Sequence, residues 1–185
     1  MWPVLEGCVN LRLAHPLERL ARWDWALVLR LNRVACRTWA RAPFHVVSRL
    51  GDGVFWYVLM LALLVRFRED AVPAVLHMIV AGLVCTALYK WIKGRTLRPR
   101  PYEARPEVVM FAAPLDRFSF PSGHTLHAVA FTMVALAYYP ALAWLAVPFT
   151  LLVAASRVAL GLHYPSDVLA GALLGATIAA ISFLV

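Results

Sequence analysis

Two histidines, one aspartate and three cations stand in this sequence at spacings suited to chemistry on a phosphoryl group. Lys93 and Arg100 put a point charge and a planar fork of donors into one stretch, and Arg157 adds a second fork. Together they can neutralise a phosphoryl group. In a low-dielectric setting three such cations repel one another, which implies an anionic group among them. Arg157 lies deep in an otherwise apolar run, where an unpaired cation is costly, so a functional partner is expected for it. For Arg95, Arg98 or Arg105 taken singly, topology signalling or snorkelling to the lipid interface is the simpler reading.

Pro121-Ser122-Gly123-His124 reads as the opening of a helix. Free backbone N–H groups and the positive end of the helix dipole favour a phosphate there, and Gly123 lets the ligand approach the backbone. Taken alone, the tetrapeptide is equally a simple helix start. His163 precedes Asp167 by four residues. An aspartate accepting from one ring nitrogen fixes the tautomer and frees the other nitrogen to attack. His124, arriving from another part of the chain, could protonate a leaving oxygen and later activate water. A lone histidine near a helix end is more often structural, and His15, His45, His77 and His127 are read that way. A metal site built on His124, His163 and Asp167 is disfavoured by the surrounding cations, which would repel a divalent ion.

These residues need elements that bring them together. Over Arg19–Arg49, Trp23, Trp25, Leu27, Val28 and Leu31 alternate with Arg22, Arg30, Arg33, Arg37 and Arg41, the pattern of a basic amphipathic helix lying in the membrane interface. The turn Gly51-Asp52-Gly53 then breaks the chain before a first span from Val54 to Phe67. A second apolar run, Ala71 to Ile92, can cross a hydrocarbon core of about 30 Å at roughly 1.5 Å per residue. From Lys93 to Phe120 the proline- and arginine-rich sequence predicts an ordered extramembrane loop. Helix resumes near Ser122 and runs to about Tyr139. Further spans follow from about Ala141 to Leu162 and from about Ser166 to Val185. Gly171 and Gly175 fit close helix packing. This connectivity requires the loop before Ser122 and the loop before Ser166 to emerge on one membrane face, as a site for an amphiphilic substrate demands.

The whole chain of 185 residues is therefore read as one domain, an all-α integral-membrane bundle of five to six helices with an N-terminal amphipathic helix. Within it, 19–49 is that amphipathic or first membrane helix and 54–185 the helical core, with active-site loops at 93–124 and 157–167. Composition agrees: 62% of residues are hydrophobic and the mean hydropathy is +0.71, far too apolar for a soluble domain of this length. The net charge of +8 is nearly all arginine, Lys90 and Lys93 being the lysines. Because many arginines flank apolar runs, membrane lipid is the expected partner and nucleic acid is not. Cys8, Cys36 and Cys85 are odd in number and widely spaced, so they are read as packing residues. With Glu6 in place of early positive charge, a cleaved signal peptide is not expected.

Taken in order, three stretches resemble the signature motifs of the type 2 phosphatidic-acid phosphatase family. They are Lys93-Gly-Arg-Thr-Leu-Arg-Pro-Arg100-Pro101, Pro121-Ser122-Gly123-His124, and Ser156-Arg157-Val-Ala-Leu-Gly-Leu-His163-Tyr-Pro-Ser-Asp167. The resemblance implies His163 as nucleophile, Asp167 as its orienting carboxylate and His124 as general acid. It assigns Lys93, Arg100, Ser122, Gly123 and Arg157 to the phosphoryl oxygens, with no metal and no cofactor. The implied activity is hydrolysis of a lipid phosphate or diphosphate through a phosphohistidine.

Undecaprenyl diphosphate is the first expectation for the substrate, with phosphatidylglycerophosphate, phosphatidate and lipid A as alternatives. A bacterial inner membrane is the expected location, with the site facing the periplasm. Two other classes use similar residues. A vanadate haloperoxidase resembles this family in its anion-binding motifs, but the apolar spans on both sides of the motifs argue against it. An anion channel or carrier would also need intramembrane arginine, yet has no use for an oriented nucleophile opposite a second histidine.

Overall fold

The computed structural model describes residues 11–184, with side chains from Glu18 onward. Glu6, Cys8, Val185 and the His15 side chain lie outside the described residues. The chain forms α1 (Leu11–Ala35), α2 (Thr38–Arg49), α3 (Phe55–Phe67), α4 (Val72–Thr96), a one-turn α5 (Pro101–Ala104), α6 (Gly123–Tyr138), α7 (Ala143–Ala159) and α8 (Pro165–Ser182).

Local sequence sets most of these limits. Pro73 sits in the first turn of α4, where its missing N–H is no loss. The same helix stops at Leu97, which takes a left-handed φ of 45° before Arg98-Pro99. Helix α7 stops at Ala159, short of the expected Leu162, because Gly161 adopts φ +78°, where a Cβ would stand 2.8 Å from the Val109 carbonyl oxygen. That leaves Arg157 in the last turn of α7 and His163 in the loop that follows.

Two further expectations are corrected. The segment 19–49 is not one helix: it breaks at Cys36-Arg37, and α1 does not span the bundle. Its inner positions Asp24, Val28 and Asn32 are buried one turn apart against residues 98–109 and 158–166, all at one end of the bundle, so α1 lies across that end. The break expected at Gly51-Asp52-Gly53 is present: Gly53 takes φ +131°, outside helical conformation, and the kink there separates α2 from α3. Lys93 is not in the loop. It belongs to the last turn of α4, which runs on to Thr96.

Helix α6 is the centre of the bundle and packs against α4, α7 and α8. Its approach to α8 is very close: a Cβ on Gly171 would lie 2.5 Å from the Ser122 carbonyl oxygen, and one on Gly175 2.3 Å from that of Leu126. An aromatic cluster ties α3 to α6 and α7, with Phe55 stacked on Phe149 at 3.7 Å between ring centroids and Trp56 against Phe131 at 5.3 Å. Outside this core, Leu61, Val65, Leu83, Trp144, Leu151 and Leu173 are 61–77% exposed. Such a shell of large apolar side chains belongs in lipid, and the protein is an integral membrane protein. Its C-terminal ends of α4 and α7 and N-terminal ends of α3, α6 and α8 meet at one face, as the connectivity requires.

Candidate active site

At that face a cleft of about 340 Å³ collects residues from the three sequence stretches. Lys93, Arg100, Gly123, His124, Arg157 and His163 line its polar end. Asp52 and Asp116, which the sequence reading did not single out, join them there. The cleft continues between α3 and α4 along Trp56, Tyr57, Met60, Ile79 and Leu83, with Phe131 of α6 behind, so one continuous space has a charged end and an apolar end.

The cations do not stand without an anion. Lys93 Nζ donates to both carboxylate oxygens of Asp116 at 2.7 Å. Arg100 donates from one terminal nitrogen to Asp116 Oδ1 at 2.7 Å and from Nε and the same terminal nitrogen to the Asp116 carbonyl. Burial alone would raise the Asp116 pKa, but the Lys93 hydrogen bond and the charges of Lys93 and Arg100 hold it below the ordinary carboxylate value. Arg157, 3% exposed, donates to Ser48 Oγ at 2.5 Å, and its Nε has no partner among the described residues. Arg157 also lines the cleft.

His163 is 1% exposed. Its Nε2 lies 3.4 Å from a terminal nitrogen of Arg100, and its Nδ1 lies 3.7 Å from Asp167 Oδ2, too long for a hydrogen bond. Burial, and after it the charges of Arg157, Arg100 and Lys93, keep the His163 pKa well below its ordinary value, so the ring is neutral at physiological pH. Asp167 is held from three sides: Oδ2 accepts the Tyr164 backbone N–H at 2.9 Å, Oδ1 accepts from Arg98 at 2.5 Å, and its own carbonyl accepts the Ser122 N–H. Arg98 is thus no lipid-snorkelling residue. Its two terminal nitrogens bridge Asp167 and Asp24 while its guanidinium stacks over Tyr164 at 4.0 Å. Arg95 and Arg105 instead stack on Trp91 and Trp25.

His124 Nε2 is hydrogen-bonded to Asp52 Oδ1. Ser122 caps α6 but turns its hydroxyl to Thr125 Oγ1 at 3.0 Å, so Gly123, not the Ser122 side chain, borders the cleft. His127 and His77 are satisfied structural residues, bonded to Gly123 and Thr86, and to Tyr138 and Ser182. Among the described residues, no three His, Cys, Asp or Glu side chains are grouped as a metal ion would need.

The family model of the PAP2 superfamily matches residues 70–185. The chain belongs to that superfamily. A protein of Sulfolobus acidocaldarius named undecaprenyl-diphosphatase is 32% identical over 139 residues, 74% of this chain, which spans just under two thirds (66%) of that protein's length. A Mycobacterium tuberculosis protein named decaprenylphosphoryl-5-phosphoribose phosphatase is 39% identical over 172 residues, 89% of this chain and 91% of that protein. The crystal structure of Aquifex aeolicus LpxE superposes with a TM-score of 0.75 at 28% identity, over 87% of this chain and 94% of the other. The matched residues 70–185 contain all three motif stretches but neither Asp52 nor Asp24. Both of these reach the site from outside the matched region, and one buried carboxylate in an arginine-rich helix leaves no pattern for a sequence to show.

Proposed function

We propose that this PAP2-superfamily protein is a lipid phosphate or diphosphate phosphatase that works through a phosphohistidine. The observation that carries the reading is the single cleft in which His163 and His124 stand with Lys93, Arg100 and Arg157 at one end and apolar side chains of α3 and α4 at the other. A phosphorylated headgroup matches the first end and a lipid tail the second.

In this reading Lys93, Arg100, Arg157 and the Gly123 backbone hold the phosphoryl oxygens. The neutral His163 Nε2 attacks phosphorus as the bond to the leaving oxygen breaks, and His124 gives that oxygen a proton. His124 then takes a proton from water, which displaces the imidazole and releases phosphate. The residues supply charge placement and one covalent step. Asp167, within 3.7 Å of His163 Nδ1, needs only a small approach to accept its proton as the ring becomes positive.

For the substrate, polyprenyl-linked phosphates come first. The relatives named above are described as acting on undecaprenyl diphosphate and on decaprenylphosphoryl-5-phosphoribose, and both are long isoprenoid lipids ending in a phosphate. The cleft faces the periplasm in this proposal because Lys93, Arg98 and Arg100 are explained by the site itself: they bind Asp116, Asp167 and Asp24 and, in this reading, the substrate. The arginines of α1 and α2 lie on the same face and pull the other way. A reporter fused after Val185 decides the matter, since α8 runs from the site face to the far face: a periplasmic site leaves that fusion in the cytoplasm.

Phosphate release by the detergent-purified protein, with EDTA present, across a panel of polyprenyl diphosphate, polyprenyl phosphoribose phosphate, phosphatidylglycerophosphate, phosphatidate and lipid A tests the activity. Release that survives EDTA and disappears in His163→Ala is the expected result. Wild-type turnover persisting in His163→Ala would sink the phosphohistidine mechanism.

A further inference from the structure

We propose that Asp24 of α1 is a positioning residue for the His163–Asp167 pair, acting through Arg98 and the start of α8. This rests on the phosphohistidine reading above and adds a residue from a helix that the family match does not include. Asp24 is 1% exposed although its helix is one of the most polar segments of the chain. A buried carboxylate is costly unless its bonds are made, and each oxygen of Asp24 is engaged. Oδ1 accepts the Ser166 backbone N–H at 2.8 Å. Oδ2 accepts the Ser166 hydroxyl at 2.5 Å and a terminal N–H of Arg98 at 2.9 Å. The other terminal nitrogen of Arg98 donates to Asp167 Oδ1 at 2.5 Å and to the Ser166 hydroxyl oxygen at 2.9 Å.

Arg98 is therefore shared between two buried carboxylates, and its planar fork, held over the Tyr164 ring, links them. The sharing has an electrostatic consequence. Two negative charges face one positive charge, so Arg98 does not fully neutralise Asp167, the carboxylate 3.7 Å from His163 Nδ1, where positive charge develops as the ring attacks. With Asp24 neutral, Arg98 would bind Asp167 alone and cancel the charge that His163 needs. Free Ser166 would also let the first turn of α8, which carries Asp167, shift. Distances of this kind matter because displacement of about 1 Å can cost on the order of 100-fold in rate. Asp24 touches neither the cleft nor the substrate, so binding of the phosphoryl group should not sense it.

The test uses the full-length, detergent-purified protein with Asp24→Asn, and reads kcat, KM, inhibition by orthovanadate, and thermal unfolding. The expected result is a kcat at least about tenfold lower, with KM and orthovanadate inhibition within about twofold of wild type and an unfolding temperature within a few degrees. An unchanged kcat overturns the proposal, as does a parallel loss of kcat, orthovanadate affinity and thermal stability, which marks general damage. If Asp24→Asn does not purify folded, Asp24→Ser, which keeps a hydroxyl for Ser166, is read by the same criteria. Should neither fold, Asp24 is a folding determinant and the positioning role falls. Failure of the phosphohistidine reading looks different: the wild type itself would be inactive, or His163→Ala active.

Discussion

Asp116 and Lys93 form a two-pronged ion pair in the polar end of the cleft, with both carboxylate oxygens 2.7 Å from the ammonium nitrogen. The protein itself thus supplies an anion to two of the three cations, Lys93 and Arg100, from the loop between α5 and α6. A phosphoryl group entering the cleft must share or displace that carboxylate. Asp116→Asn is expected to tighten inhibition by orthovanadate or inorganic phosphate by at least about threefold, since like charges set close together in a shielded site are worth more than a kcal/mol or so. It should also lower stability by about 1–2 kcal/mol, less than for a fully buried pair because water reaches the Asp116 side chain. Inhibition curves and thermal unfolding of the two proteins check both effects, and weaker inhibition in the variant would contradict the competition.

Proton linkage at His163 predicts how stability changes with pH. Its folded pKa lies well below the ordinary histidine value. Above about pH 6.5 both folded and unfolded states carry a neutral ring and nothing is gained or lost. As pH falls below that, the unfolded chain binds a proton that the fold refuses, so stability declines. Asp116, held low, adds its own loss only at more acid pH, near and below the ordinary carboxylate range. Unfolding temperature should fall between pH 7 and pH 5 in the wild type and fall less steeply in His163→Gln. Equal slopes would show that the ring is not held neutral.

His124 is tied to Asp52 in the wide turn before α3. If that pair supplies the leaving-group proton, its loss should hurt poor leaving groups most. Asp52→Asn is expected to slow hydrolysis of an alkyl phosphate at least about tenfold, within the usual range for general acid catalysis, and that of p-nitrophenyl phosphate far less. A uniform loss on both substrates would point to binding instead.

The sequence made the centre of this site legible and its surroundings obscure. Lys93, Arg100, Gly123, His124, Arg157, His163 and Asp167 stand in short fixed spacings, and each spacing has a chemical use. Asp24, Asp52 and Asp116 are single carboxylates in unrelated contexts, two of them far from the motifs in sequence. Only tertiary packing, which lays α1 across the end of the bundle and sets the kink at Gly51-Asp52-Gly53 beside the start of α6, brings them in. Arg98 was misread for the same reason: its role depends on two partners 69 and 74 residues away. Helix limits at Thr96 and Ala159 differ from the hydropathy limits because the helices end inside the site, where backbone conformation at Leu97 and Gly161 decides, not lipid thickness.

The contact between α6 and α8 offers a way to separate fold from chemistry. Both glycines of α8 face backbone: the nearest atom to an added Cβ is the Ser122 carbonyl oxygen at Gly171 and the Leu126 carbonyl oxygen at Gly175. Backbone cannot turn aside as a side chain can, so each alanine must push the helices apart, at about 1–3 kcal/mol. Gly175→Ala acts one turn below the site and should lower the unfolding temperature while leaving kcat near wild type. Gly171→Ala presses on the peptide that opens α6, next to Gly123 and His124, and on the Ser122 N–H bond to Asp167 at 3.1 Å. It should lower both the unfolding temperature and kcat. Unfolding scans with kcat measured well below the transition distinguish the two. A Gly171→Ala protein with full kcat would mean that the start of α6 does not set the placement of the catalytic groups.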